Sequence, residues 1–493
     1  MKKYILILAA FLATGIFGCK KNYLSLENNP NTPSITTPQL TLAAALNATA
    51  ANISTSYSYY GVWAGYWTTS GNYVPNSTIN QYQFTPTSFN GDWAAWYQNL
   101  ANYNNLQILA AKDPLLANYQ AIAMIMKAYG FEVLVDNYND VPYTQAFQPS
   151  TNIFPAYDKA EDIYHDLGKQ LDAAIALINK GVSTVPGNDD IVYQGNMTAW
   201  KAFANTLKLK LAIRVYQKYQ QENKSSDPLI TGVSATAAGG YIDGAGNPEA
   251  VVNPGYSNAS GKQNPFYATY GNDATGNPVF GNVYWRANSF SVNMLQGFND
   301  PRVSQLYQKL PNGTVHGNGF GDPGVQSNSF VSSIGPGLLQ SPSQGQPIFT
   351  AAESLFLQAE AANAGLGGFI GAQTLYENGI TASFTDLGLT SDDAKAYFGQ
   401  AIPNVGWAAS GNKEQAIITQ KWIAMNGYFN FEGYNEYRRT GYPVLKSSLD
   451  PAAISQTLPT RIPYPQDELT TNAANLAKEG TINYFTSKIF WAK

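Results

Sequence analysis

The chain has 493 residues, long enough for one large core or several small ones. Its formal net charge is −4 at pH 7, with no block of like charges, so the basic face that nucleic-acid binding demands is absent. Charged residues make up only 13%, against about 25% in ordinary soluble domains, while 33 Tyr and 9 Trp accompany many amides and hydroxyls, a mixture that suits an extracellular surface meeting neutral ligands.

The first element is an N-terminal signal. Lys2 and Lys3 precede an almost unbroken apolar run from Tyr4 to Phe17. That run is shorter than the roughly 20 residues a spanning helix needs, and it has the polarity order of a secretory signal. It stops just short of Cys19, the one cysteine of the chain, which can form no internal disulfide. Ile16 three places before it and Gly18 directly before it resemble a bacterial lipobox, in which the cysteine is diacylated and becomes the new N-terminus. Residues 1–18 are therefore expected to be a lipoprotein signal peptide, with Cys19 the lipid anchor of a mature chain 19–493. Two or three acyl chains hold stably to a membrane where one is marginal.

After Cys19, KKNYLSLENNPNTPSITTPQL reads as tether and first loop. Helical patterning follows. Trp93, Trp96, Tyr97 and Leu100 recur at helical spacing, as do Tyr119, Ile122, Met126, Tyr129 and Val133. Ile163, Leu167, Leu171, Ala174 and Ile178 make a third stripe. Trp200, Phe203, Ala204, Leu207 and Leu211 make a fourth, with Lys201, Lys208 and Lys210 placed mostly toward solvent. Ala352, Leu355, Phe356 and Ala359 form a fifth, and Ile418, Trp422 and Met425 a sixth. Paired helices at such spacing suggest tetratricopeptide-like packing.

Between residues 221 and 347 the period collapses into recurring Gly, Asn, Pro and Ser. A structureless loop of that length does not sit inside a compact domain, so an irregular subdomain of loops and short strands is expected there. The fold class is thus mainly α: a helical scaffold over about 40–220 and 348–493, with an irregular, loop-rich insertion over about 221–347. Asp243 to Asn247 and Asp273 to Asn277 share a D-x-x-G-N-P pattern, which reads as turns rather than calcium loops because the closing Glu is missing.

Catalytic constellations are thin. His165 and His316 are the two histidines, in a helix pattern and a glycine-rich loop, without metal-site spacing. No G-x-S-x-G elbow occurs. Asp136 and Asp140 in VDNYNDVPY could be a glycosidase pair, but a polar helix end explains them more simply. No catalytic residue, metal or cofactor is assigned.

Three late blocks are more specific: FTAAESLFLQAEAANAGLG, IITQKWIAMNGYFNFEGYNEYRRTGYPVL and LPTRIPYPQDELTTNAAN. In order and spacing they resemble the signature blocks of the SusD/RagB family of outer-membrane nutrient-binding lipoproteins. DNYNDVPYTQAF resembles that family's segment ending in VPY, with Asn139 where Gly is commoner, and NNPNTPS is similar to the branch called SusD-like 2. The resemblance implies a helical, tetratricopeptide-like, non-catalytic protein at the outer membrane, lipid-anchored and facing the cell exterior. It implies capture of an oligosaccharide, or in some branches a peptide, for delivery to a SusC-like TonB-dependent transporter. A surface glycosidase is the alternative reading.

The signature blocks read as scaffold. Glu353 and Glu360 lie seven apart on one helical face beside apolar residues, and Arg438, Arg439 and Arg461 are the natural partners for carboxylates that become buried. Pro459, Pro463 and Pro465 stiffen an extended segment across the helices. The ligand site is expected in the irregular segments, because sugars need flat aromatic faces flanked by hydrogen-bonding groups. GVWAGYWTTSGNYVPNSTINQY offers Trp63, Tyr66, Trp67 and Tyr73 with Asn72 and Asn76; a later stretch offers Tyr270, Tyr284 and Trp285 with Asn272 and Arg286. Trp67, Tyr73 and Trp285 are the predicted stacking platforms and Asn72 the predicted hydrogen-bond partner. The competing view makes Trp63 and Trp67, four apart, one more buried helix face.

Overall fold

The computed structural model describes residues 36–148, 151–181 and 183–493; Cys19 and the signal segment lie outside them. Five long helices come first: α1 Pro38–Thr55, α2 Asn90–Ala110, α3 Ala117–Tyr138, α4 Ala160–Asn179 and α5 Met197–Gln221. Each packs on the next. A second group follows the insertion: α7 Ala351–Ala364, α8 Ala372–Asp386, α9 Ser391–Phe398, α10 Lys413–Met425 and α11 Asn430–Thr440. Here α7 packs on α8 and α10, α8 on α9, and α10 on α11, while α5 and α7 join the groups. All six apolar stripes fall inside helices, and the mainly α fold with helical pairs is as expected.

Local chemistry sets the helix ends. Thr37 Oγ1 accepts the Leu40 N–H at the start of α1, with Pro38 in the first turn, and Thr350 Oγ1 accepts the Glu353 N–H at the start of α7. Asn196 and Asn412 cap α5 and α10 in the same way. Gly365 at φ 67° and Gly441 at φ 84° end α7 and α11 in the left-handed conformation. The α2–α3 crossing is close because position 130 is glycine: a Cβ there would come within 2.8 Å of Leu100.

The helix α3 is buried along nearly its whole length, so its Glu132 and Asp136 are buried with it. Lys210 is also buried, at 2% exposure, which corrects its placement toward solvent: α5 is covered on that side by α3 and α7. Beyond Thr440 the chain is largely irregular, with short helical turns at Gln466–Thr471 and Ala473–Leu476. Its proline-rich segment lies across α3 and α11, where the Tyr434 hydroxyl donates to the Pro459 carbonyl (2.6 Å) and the Tyr464 hydroxyl to that of Asp140 (2.6 Å).

Residues 222–345 hold only short elements, the longest being helix α6, Ser289–Gly297. Two antiparallel ribbons tie this region to the scaffold. Strand β1 (Trp67–Thr69) pairs with β3 (Trp285–Ala287), and β2 (Ala250–Val252) pairs with β4 (Gln346–Phe349) directly before α7.

Candidate ligand-binding site

The first ribbon brings two of the predicted platforms together and buries both. In the β1–β3 register Trp67 faces Ala287 and Thr69 faces Trp285, so Trp67 and Trp285 share one face of the ribbon. Their ring centroids are 5.9 Å apart, and Tyr270 closes on Trp67 at 5.2 Å. Trp67 is 1% exposed and Trp285 7%. A Cβ on Gly61 would lie 2.6 Å from the Trp67 ring, so the backbone itself presses on the indole. Neither ring offers a face to a sugar; this corrects both assignments. Trp63 is buried too, in a separate short helix, Tyr60–Trp63.

Tyr73 and Asn72 are placed differently. They lie on the exposed turn after β1, with Tyr73 40% accessible. The Tyr73 ring meets Phe280 edge-on at 5.7 Å and Tyr284 at 5.5 Å, while Phe280 stacks on Tyr284 at 5.0 Å with 20° between planes. Phe280 is 64% exposed. Tyr284 is the floor, and Tyr73 and Phe280 form an open aromatic ledge. Amides flank it: Asn72 Oδ1 accepts the Asn328 N–H (3.2 Å), and Asn328 Nδ2 donates to the Val283 carbonyl (2.8 Å). Phe330, on the same loop as Asn328, is also exposed. The sequence reasoning missed Phe280 and Phe330. The available signal was an apolar ring isolated among Gly and Asn, as in NPVFGN, with no helical period to bury it.

A spacious cleft lies elsewhere. It holds about 940 Å³ between the Asp243–Val251 segment and α7 and α8. Tyr193 is its one aromatic lining residue, and its Glu249 is engaged by the Ala351 N–H (2.6 Å) at the start of α7. Volume alone favours that cleft; a pair of accessible rings flanked by amides favours the ledge for a polyhydroxylated ligand.

A family model described as starch-binding proteins associating with the outer membrane, SusD-like 2, matches residues 30–465. The chain belongs to this SusD-like family. No match was found among curated proteins. Among solved structures, a chitin-binding SusD homologue from Flavobacterium johnsoniae is 23% identical, with 91% of this chain and 98% of that chain covered and a TM-score of 0.73. Another chitin-binding protein is 25% identical, covering 92% and 100%, at TM-score 0.75. A SusD homologue from Bacteroides uniformis is 23% identical, covering 92% and 99%, at 0.72.

In this SusD-like chain the signature blocks meet in a buried ion network. Arg439 grips Glu360 (2.6 and 2.8 Å), and Lys421 donates to Glu436 (2.7 Å). Arg214 reaches Glu432 (2.6 Å) and Asp136 (3.1 Å), and Lys210 reaches Glu432 (2.8 Å) and, more loosely, Glu353 (3.5 Å). Burial alone would raise Glu432, but Arg214, Lys210 and Lys421 outweigh it and hold the carboxyl down to about 2. Burial wins at Glu132, raised to about 8, and also lifts Glu353 and Glu360.

Two of the expected arginine partners act otherwise. Arg438 donates to the carbonyls of Thr460 (3.0 Å) and Asp136 (2.6 Å), and Arg461 to that of Tyr138; ring faces of Tyr434 and Tyr464 lie 5.4 and 4.9 Å from them. They bind backbone and rings rather than carboxylates, because the proline-rich segment runs over the carbonyl end of α3. The sequence reasoning placed Lys210 toward solvent and passed over Arg214 and Lys421; the signal was a Lys and an Arg four apart amid the apolar residues of α5.

Asp136 is wholly buried and accepts the Trp491 Nε1–H (2.7 Å), so it cannot meet a substrate. Asp140 accepts the Ala160 N–H (2.8 Å) and Lys159 Nζ (2.7 Å). Ligand atoms of Glu132, Asp136 and Glu432 lie within 4.8 Å of one another, but Lys210 and Arg214 already neutralise that cluster. Both D-x-x-G-N-P segments are turns: Asp243 Oδ1 accepts the N–H groups of Ala245, Gly246 and Asn247, and Asp273 Oδ1 those of Thr275 and Asn277. No helix among the described residues is long and apolar enough to cross a membrane.

Proposed function

We propose that this protein is a non-catalytic, lipid-anchored surface receptor of the outer membrane that captures oligosaccharide and delivers it to a SusC-like TonB-dependent transporter. The observation that carries the reading is the Tyr73–Phe280 ledge, two accessible rings at 5.7 Å bordered by amide groups. An aromatic face covers the C–H face of a sugar while amides meet its hydroxyls. Membership of a family described as starch-binding supports the ligand class, and the two chitin-binding neighbours support it as well. The lipobox at Cys19 supports the anchor.

A calorimetric screen of starch, chitin and other oligosaccharides against the protein tests this. Saturable binding that Tyr73→Ala and Phe280→Ala weaken is the expected result. Release of reducing ends during incubation would establish the glycosidase reading instead, and binding of peptides alone would establish a peptide receptor. Co-purification with a SusC-like barrel from native membranes tests the partner.

A further inference from the structure

Arg286 stands apart from the other buried cations of the described residues. Lys210, Arg214, Arg302, Lys421 and Arg439 each pair with a buried carboxylate. Arg438 and Arg461 have aromatic faces beside them. Arg286, 6% exposed, makes one side-chain hydrogen bond among these residues, from Nη2 to the Val283 carbonyl (2.8 Å), and its buried Nε, like those of Arg438 and Arg461, has no hydrogen-bond partner. Burial lowers its pKa to about 10, and the neighbour that opposes the shift is the Tyr73 phenol. The group is therefore a full cation at neutral pH. A buried cation without a counter-charge is strongly unfavourable unless something completes it.

Its position ties it to the ledge. Alternation along β3 sends Arg286 to the face opposite Trp285, away from the Trp67–Trp285 contact. The Val283 carbonyl that receives Nη2 also receives Asn328, whose N–H donates to Asn72 beside Tyr73. Guanidinium, amide and ring thus belong to one hydrogen-bonded cluster, with Arg286 on its buried side and the accessible Tyr73 ring at its edge.

We infer that the ledge takes an acidic glycan, whose carboxylate or sulfate pairs with Arg286 while a sugar ring lies on Tyr73 and Phe280. This rests on the glycan-binding reading, and it departs from the neutral ligand that the composition suits. A planar guanidinium matches two oxygens of either anion, and the pair is strong where water is excluded.

The test is calorimetry on the full, detergent-solubilised chain with matched probes: tetragalacturonate against its methyl ester, and a sulfated carrageenan tetrasaccharide against its desulfated form, with chitotetraose as a neutral reference. One charged probe is expected to bind at least about tenfold more tightly than its neutral counterpart, a difference of about 1.4 kcal/mol. Arg286→Gln should abolish that preference, and Arg286→Lys should keep part of it. The wild-type comparison stands even if a variant does not fold. The carboxylate and sulfate arms identify which anion is read. Equal binding of charged and neutral probes overturns the inference, as does a preference that survives in folded Arg286→Gln. Binding of chitotetraose with no response to either charged probe overturns it and leaves the glycan reading standing. If no glycan of the wider screen binds, the glycan reading itself falls.

Discussion

Arg439 meets Glu360 in a two-point ion pair, Nη1 to Oε1 at 2.6 Å and Nη2 to Oε2 at 2.8 Å, joining the last scaffold helix to the first helix after the insertion. Both side chains are buried, and a second carboxylate, Glu436, also accepts from Arg439. Removing either partner strands a charge. Glu360→Ala or Arg439→Ala is expected to cost about 3–5 kcal/mol, read as a lower denaturation midpoint. The Glu360→Met/Arg439→Met double variant should lose less than the two single losses together.

At the ledge, Tyr73→Ala and Phe280→Ala should each weaken glycan binding by about 1–3 kcal/mol, in the range of ordinary interface hot spots, without lowering the melting temperature appreciably. Trp67→Ala should behave in the opposite way. It empties a core position and is expected to cost about 3–5 kcal/mol of stability. Calorimetry beside thermal melts separates the two classes.

Asp92 provides a pH signature. Burial raises its carboxyl from 3.8 to about 7, against the pull of the Tyr57 N–H. The folded pKa lies above the unfolded one, so the stabilisation is complete below about pH 4 and is lost as pH rises through 7. Denaturation midpoints between pH 5 and 8 should therefore fall with pH more in wild type than in Asp92→Asn. Parallel curves would remove Asp92 as the source.

Cys19→Ser should release the protein from membranes by removing the acylation nucleophile. Metabolic labelling with a fatty acid should mark the wild type and leave this variant unlabelled.

The helical stripes are legible in the sequence because burying one face of a helix forces apolar residues to recur every three or four positions. Helices α8 and α11 escape that reading. The first mixes Gly, Thr and Asn through its length, and the second buries Glu432, Glu436, Arg438 and Arg439 where apolar residues would be expected. Charge reads as surface until its counter-charges, distant in sequence, are known. The ligand site shows the same limit. Strands β1 and β3 have three residues each and pair across more than two hundred positions, too short for alternation to reveal which side a tryptophan faces. Tyr73 and Asn72 come from a segment without helical period; Phe280 meets Tyr73 only when the ribbon folds it over Tyr284.

The insertion leaves the scaffold after α5 and returns at β4, directly before α7, and those two helices lie side by side with Lys210 of one bonded toward Glu353 of the other. The two helices run parallel, with Tyr216 near the end of α5 bonded to the Ala364 carbonyl at the end of α7, so the scaffold holds the two ends of the insertion at a fixed separation of about one helix length, and the entropy of closing that ring grows only with the logarithm of its length. Doubling the excursion would add about 0.6 kcal/mol, less than one buried methylene contributes. The helical frame is in this sense a host for variation in length: residues 222–345 can grow or shrink at almost no thermodynamic penalty from chain length, so long as the points where they enter the core are kept, Arg302 on Ser383 and Gln420 and Tyr307 on Asn426.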